Sequence, residues 1–182
     1  MTIEEYRLLR AYTRYDGFYL GVIWIASFAC LIGMASYPSL SMASLAIALT
    51  TPFFVGMQLK KYRDNGRQGV LPFTHALLYC FRVFMNAAIV FAIAQWAYMQ
   101  FLDNGRLAGM LQTMMMQEET QALLKQTGLK SEELVAAFTQ VSPLQFALTY
   151  FVENIIIGIV LSLPIALMMK QDVPTRPTNN KT

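Results

Sequence analysis

Apolar residues along this chain gather into four blocks of about 20, near the length a helix needs to cross a hydrocarbon layer roughly 30 Å thick. Short polar stretches rich in turn formers separate them. The blocks predict spans over residues 17–36, 42–59, 73–102 and 143–169. Only Pro38 to Ser41 lie between the first two, so these must form a tight antiparallel hairpin. The first span opens with Gly17-x-x-x-Gly21, and along the second Ser44, Ala48, Pro52 and Gly56 recur every fourth residue. Each pattern predicts a face of little bulk on which a neighbouring helix can approach closely. Pro52 also removes the donor to the Ala48 carbonyl, so a kink is expected there.

Residues 1–16 read as a short amphipathic helix. Thr2 can cap it, Glu4 and Glu5 suit its first turn, and Tyr6, Leu9 and Tyr12 give it an apolar face, so it is expected to lie along the membrane surface. Pro72 can start the third helix, whose hydrocarbon part begins near Tyr79 and whose far end carries the belt residues Trp96, Tyr98 and Phe101. Residues 103–142 form the one sizeable insert. Two helices are predicted in it, Arg106 to Gln126 and Ser131 to Thr139, with a stop at Gly128 and a cap at Ser131, together making an amphipathic lid. Ser142-Pro143 then launches the fourth span, and the polar tail 171–182 is expected to be disordered.

Composition agrees with this pattern: 55% of residues are hydrophobic and only 14% charged, too apolar for an ordinary water-soluble domain. The fold class expected is therefore an all-α polytopic membrane protein with four transmembrane helices and a helical insert between spans three and four. Charge matters through its placement. Ten Lys and Arg (Arg7, Arg10, Arg14, Lys60, Lys61, Arg63, Arg67, Lys170, Arg176, Lys181) fall on one side, three (Arg106, Lys125, Lys130) on the other, and Arg82 within a span. The positive-inside rule then puts both termini in the cytoplasm and the insert outside, on a multi-pass plasma-membrane protein. No basic surface for nucleic acid is left over. The basic start followed by an apolar run looks like a secretory signal, but a run of about 21 residues exceeds the usual signal core, so it is read as an uncleaved span. Cys30 and Cys80 fall toward opposite ends of the membrane and are expected to stay unbridged.

Candidate chemistry is sparse. Glu153, beside Asn154 and on one helical row with Gln145 and Thr149, should lie a third to halfway into the membrane, where an uncompensated carboxylate costs about 2.5–3.5 kcal/mol. It reads either as a proton or cation site, or the lining of a path, or as a hydrogen-bonded fastener of span four to Asn86 or Gln95 of span three. Arg82 is the only counter-ion within the spans, yet it differs in depth from Glu153 by roughly 10–15 Å, so snorkelling to the headgroups is the favoured expectation. His75 reads as an interfacial polar residue, and the run Met110, Met114, Met115, Met116 as an adaptable apolar surface rather than a copper site. Gly158, Ser162 and Pro164 with Ala166 give span four a second small-residue face for helix packing. No nucleophile with a base, paired carboxylates or phosphate loop can be assembled, so no enzymatic role, cofactor or metal is expected.

Asp16-Gly17-Phe18-Tyr19-Leu20-Gly21, Trp24-Ile25-x-Ser27-Phe28, Pro52-Phe53-Phe54, Phe81, Gln95, Tyr98, Phe101-x-Asp103, Asn154-Ile155 and Gly158-x-x-x-x-Leu163-Pro164-Ile165-Ala166 occur in this order along nearly the whole chain. In this the chain resembles the uncharacterised bacterial membrane family called domain of unknown function 4199. The resemblance implies a four-span protein of the bacterial plasma (inner) membrane with an extracytoplasmic helical insert, and no established activity or site residues. A family-level association with membrane glycosyltransferases would make such an enzyme the partner to test. Two functional expectations follow from the residues: an accessory or interaction subunit of another membrane protein, or a component of an oligomeric transporter or channel that uses Glu153 and Asn154.

Overall fold

The computed structural model describes residues 2–127 and 130–171. Its helices are α1 (Ile3–Gly33), α2 (Leu40–Leu49), α3 (Thr51–Lys61), α4 (Phe73–Phe101), α5 (Arg106–Met115), α6 (Glu118–Thr127), α7 (Ser131–Thr139) and α8 (Pro143–Met169), with a π-helical turn Tyr62–Gly66 after α3. Four helical stretches are long and apolar enough to cross a membrane: Ile3–Gly33, Leu40–Gly66, Phe73–Phe101 and Pro143–Met169. Strands do not occur among the described residues; the only extended pairing is a bridge in which Leu71 and Gln171 exchange two 2.8 Å hydrogen bonds. The expected disordered tail falls outside the described residues from position 172 onward, as does the expected stop at Gly128.

The first helix corrects the expectation of a separate surface helix. Thr2 and Glu5 do form a capping box at its start. From there α1 continues without interruption through Asp16 and Gly17, because Leu9, Thr13, Asp16, Gly17, Leu20, Gly21 and Trp24 are all buried along one row. Residues 3–16 are thus a packed extension of the first span. The kink expected near Pro52 is a one-residue interruption: α2 ends at Leu49, Thr50 turns its hydroxyl to the Ile47 carbonyl at 2.6 Å, and α3 begins with Pro52 in its first turn. Ser142 and Gln145 build a capping box on α8, with Pro143 at its first position.

Helix α4 is the centre. Within its apolar window 44% of residues are buried, against 22–28% for the other three spans. It packs between α1 and α8, while α2 lies mainly on α1 and α3 reaches α8. Two glycines allow the close contacts: a methyl group on Gly17 would lie 2.5 Å from Cβ of Asn86 and 2.9 Å from the Val83 carbonyl oxygen, and one on Gly158 only 2.6 Å from Cβ of Phe84. Gly21 meets Val90 in the same way. Ser162 is buried beside them, its hydroxyl bonded to the Gly158 carbonyl at 2.6 Å. Three other expected packing positions differ. Pro164 and Ala48 face outward, and Gly56, though buried, meets only the tip of Met169. Small size on a helical row does not say which turn of it a neighbour reaches.

Polar bonds stitch the spans where apolar contact alone would slide. Trp24 Nε1 donates to Thr51 Oγ1 at 3.0 Å, and Ser27 Oγ donates to the Ser44 carbonyl at 2.9 Å. In the insert, Asp103 is buried and accepts from the backbone N–H groups of Gly105 and Leu107, both at 3.1 Å, fixing the start of α5. The long helix expected from Arg106 to Gln126 is instead two, interrupted at Met116 and Gln117. Lys130, rather than Ser131, occupies the cap position of α7. No residue of α5 or α7 is buried, so these helices share no core of their own; the Phe138 ring reaches Phe146 of α8 edge-on at 6.2 Å.

Candidate functional site

The polar residues picked out within the spans do not converge. Glu153 and Thr149 are exposed on α8, and with Gln145 they form an outward-facing polar row at i, i+4 and i+8. Asn154 is half-buried and turns its amide back to the Tyr150 carbonyl of its own helix at 2.7 Å. Among the described residues no hydrogen bond or ion pair reaches the Glu153 carboxylate.

Asn86, expected as a donor to Glu153, instead gives its Nδ2 to the Thr13 carbonyl of α1 at 3.1 Å. Gln95 is buried on the row of Phe91 and Tyr98, which meets Phe28 of α1, and its Oε1 has no partner among the described residues. Arg82 neither pairs with Glu153 nor simply snorkels. Its Nη2 donates to the Tyr6 hydroxyl at 2.9 Å, and its guanidinium stands 4.7 Å from the centre of that ring. The three residues on α4 thus serve the α1 side, and Glu153 and Thr149 the outside.

A polar centre absent from the sequence reading lies where α1, the π-helical turn and α4 meet. The Tyr79 hydroxyl donates to the carboxylate of Asp16, which is 8% exposed. Tyr79 stacks on Tyr62 at 4.9 Å between ring centres, and Tyr62 receives the edge of Tyr12 at 5.3 Å. Tyr62 and Tyr79 are wholly buried. Beside this stack Arg67 bonds Glu5 at 3.2 Å, while Arg63 pairs with Asp64 at 2.8 Å and reaches the last carbonyl of α8, that of Met169, at 3.3 Å. The His75 Nδ1 is buried there, without a hydrogen-bond partner among the described residues.

The π-helical turn explains how Tyr62 enters this stack. One extra residue in the turn rotates the chain after α3, so that the ring points inward while Arg63 and Asp64 remain at the rim. A helical signal for Asp16 did exist: it falls on the row Leu9, Thr13, Leu20, Trp24, which is otherwise apolar or uncharged. A carboxylate on such a row needs a donor from the facing helix, and Tyr79 supplies it. Chemically, the arrangement can hold one proton between a phenol and a carboxylate, and it binds three elements at the depth where the apolar part of α1 begins.

Cys80 is buried and Cys30 half-buried, both as free thiols. Met114 and Met116 project from the insert, 46% and 64% exposed, and Met115 and Met116 line a cavity of about 420 Å³ between α5, α6 and α7.

No curated protein and no solved structure matches the chain. A family model does, over residues 15–171, a stretch that begins one residue before Asp16, leaves out the first twelve residues of α1 and takes in the other spans and the insert. The chain belongs to the family described as "Protein of unknown function (DUF4199)".

Proposed function

We propose that this chain is a small accessory or interaction subunit of another membrane protein. The observation that carries the reading is the outward-facing Glu153, ten residues along an α8 that begins at Pro143 and is long enough to span. At a rise of about 1.5 Å per residue it lies roughly 15 Å from the start of that helix, within the apolar layer. A carboxylate facing lipid there costs about 2.5–3.5 kcal/mol, a cost that a donor from a second membrane protein removes. The exposed neighbours Leu148, Val152 and Ile156 supply apolar contact around it. In this reading both termini are cytoplasmic, following the excess of Lys and Arg at that end, and the insert lies outside in a bacterial inner membrane.

A photo-crosslinking residue at Ile156 tests the proposal in intact cells. The expected result is one covalent adduct with a different membrane protein, lost in the Glu153→Leu variant. Adducts with lipid alone, together with recovery of this chain alone in mild detergent, would end the reading. A second reading, a transporter or channel component, draws on the row Gln145, Thr149 and Glu153, which could line a path only between copies. Crosslinks solely between copies, and transport abolished by Glu153→Gln at unchanged expression, would favour it instead.

A further inference from the structure

A groove of about 620 Å³ runs between α1 and α4 and does not involve α8. Its walls are Ala11, Tyr15 and Phe18 on one helix and Ile89 and Val90 on the other, with Arg14 and Asn86 at the polar end. Asn86 spends its amide on the Thr13 carbonyl, which closes the floor. Cations gather at one end only. Arg7, Arg10 and Arg14 recur at i, i+3 and i+7 on α1 and are exposed; Arg82 sits one turn before Asn86 on α4, held by Tyr6, one turn before Arg10. Among the described residues none of these four guanidinium groups is paired with a carboxylate. Of the nearby acids, Glu5 is engaged by Arg67 and Asp16 by Tyr79, while Glu4 lies one turn before Arg7, at the end of the row away from the groove.

The groove therefore has a direction. From Arg10 to Phe18 it passes, over about 12 Å of helix, from unpaired positive charge to aromatic and aliphatic side chains. A peptide helix would not match so short a polar-to-apolar change, and a zwitterionic headgroup would bring its own cation among the arginines. We propose that this groove is a binding site for an anionic phospholipid, its phosphate among Arg10, Arg14 and Arg82 and one acyl chain along Tyr15, Phe18 and Ile89. Arg82 enters the site pre-oriented, since its hydrogen bond and ring contact with Tyr6 leave further N–H donors free.

Native mass spectrometry of the full chain, titrated with phosphatidylglycerol or phosphatidylcholine of the same acyl length, tests the site. Phosphatidylglycerol should be retained in preference. The R10Q/R14Q variant should lower its retention about 25-fold, near five-fold for each cation removed, and leave phosphatidylcholine unchanged. The K60Q/K61Q variant removes two exposed charges off the groove and should bind as the unaltered chain does. Filling the groove with Ala11→Trp should reduce retention of both lipids. Wild-type retention in R10Q/R14Q or in Ala11→Trp would overturn the proposal, as would an equal loss in K60Q/K61Q. Displacement of the lipid by equimolar glycerol 3-phosphate would likewise reduce the site to a phosphate patch with no acyl component.

Discussion

The α1–α4 contact and the first half of α8 treat polar side chains in opposite ways. Between α1 and α4, Asp16 meets Tyr79, Asn86 meets the Thr13 carbonyl and Arg82 meets Tyr6, all inside or at the rim of one seam. On α8, Gln145, Thr149 and Glu153 face away from the bundle. The seam is self-sufficient: it closes within one chain, around glycines that let two backbones approach. The α8 row has no such closure: Gln145 serves the cap of its own helix, and among the described residues nothing bonds the Glu153 carboxylate.

The sharpest way to break this contrast is steric. Gly17→Leu drives a side chain into Asn86 and the Val83 carbonyl, and should cost about 3 kcal/mol, read as an earlier midpoint of unfolding in sodium dodecyl sulfate. An unchanged midpoint would mean that the seam does not hold the fold. A smaller effect is expected from the polar clasp. Tyr79→Phe and Asp16→Asn, combined in a double-mutant cycle, should show a coupling of about 1 kcal/mol, in the range for hydrogen bonds between membrane helices. Near-zero coupling would make the two side chains neighbours without mutual dependence. Smallest of all should be Glu153→Leu, which is expected to leave the unfolding midpoint of the isolated chain within about 0.5 kcal/mol of the original. A large loss there would place Glu153 in the seam's class and remove the contrast.

Much of the architecture could be read from residues alone, because the need to satisfy every backbone group in lipid makes long apolar runs helical. The four spans, the caps at Thr2 and Ser142 and the use of Gly17, Gly21 and Gly158 for close contact were all legible. What was not legible depends on rotation about helix axes. Glu153 stands out in the chain as a carboxylate in an apolar run, yet period alone gives its row, not the direction that row faces. Asp16 escaped notice for the opposite reason: it sits at the edge of the apolar block, where a charge looks ordinary, and only the rotation of α1 against α4 brings Tyr79 to it. The π-helical turn that delivers Tyr62 leaves no mark in the order Tyr62-Arg63-Asp64-Asn65-Gly66, which reads as a plain polar connection.

The interruption at Thr50 divides the second span between two neighbours. Above it, α2 is fastened to α1 through Ser44 and Ser27; below it, α3 is fastened to Trp24 through Thr51 and lies against α8. Thr50 keeps a helical backbone, and the Phe54 N–H still reaches its carbonyl at 2.8 Å, so the two arms run on as one span with different attachments. The consequence is a division of labour along one span: its insert-side arm is tied by serines to α1, and its other arm carries the chain into the tyrosine stack.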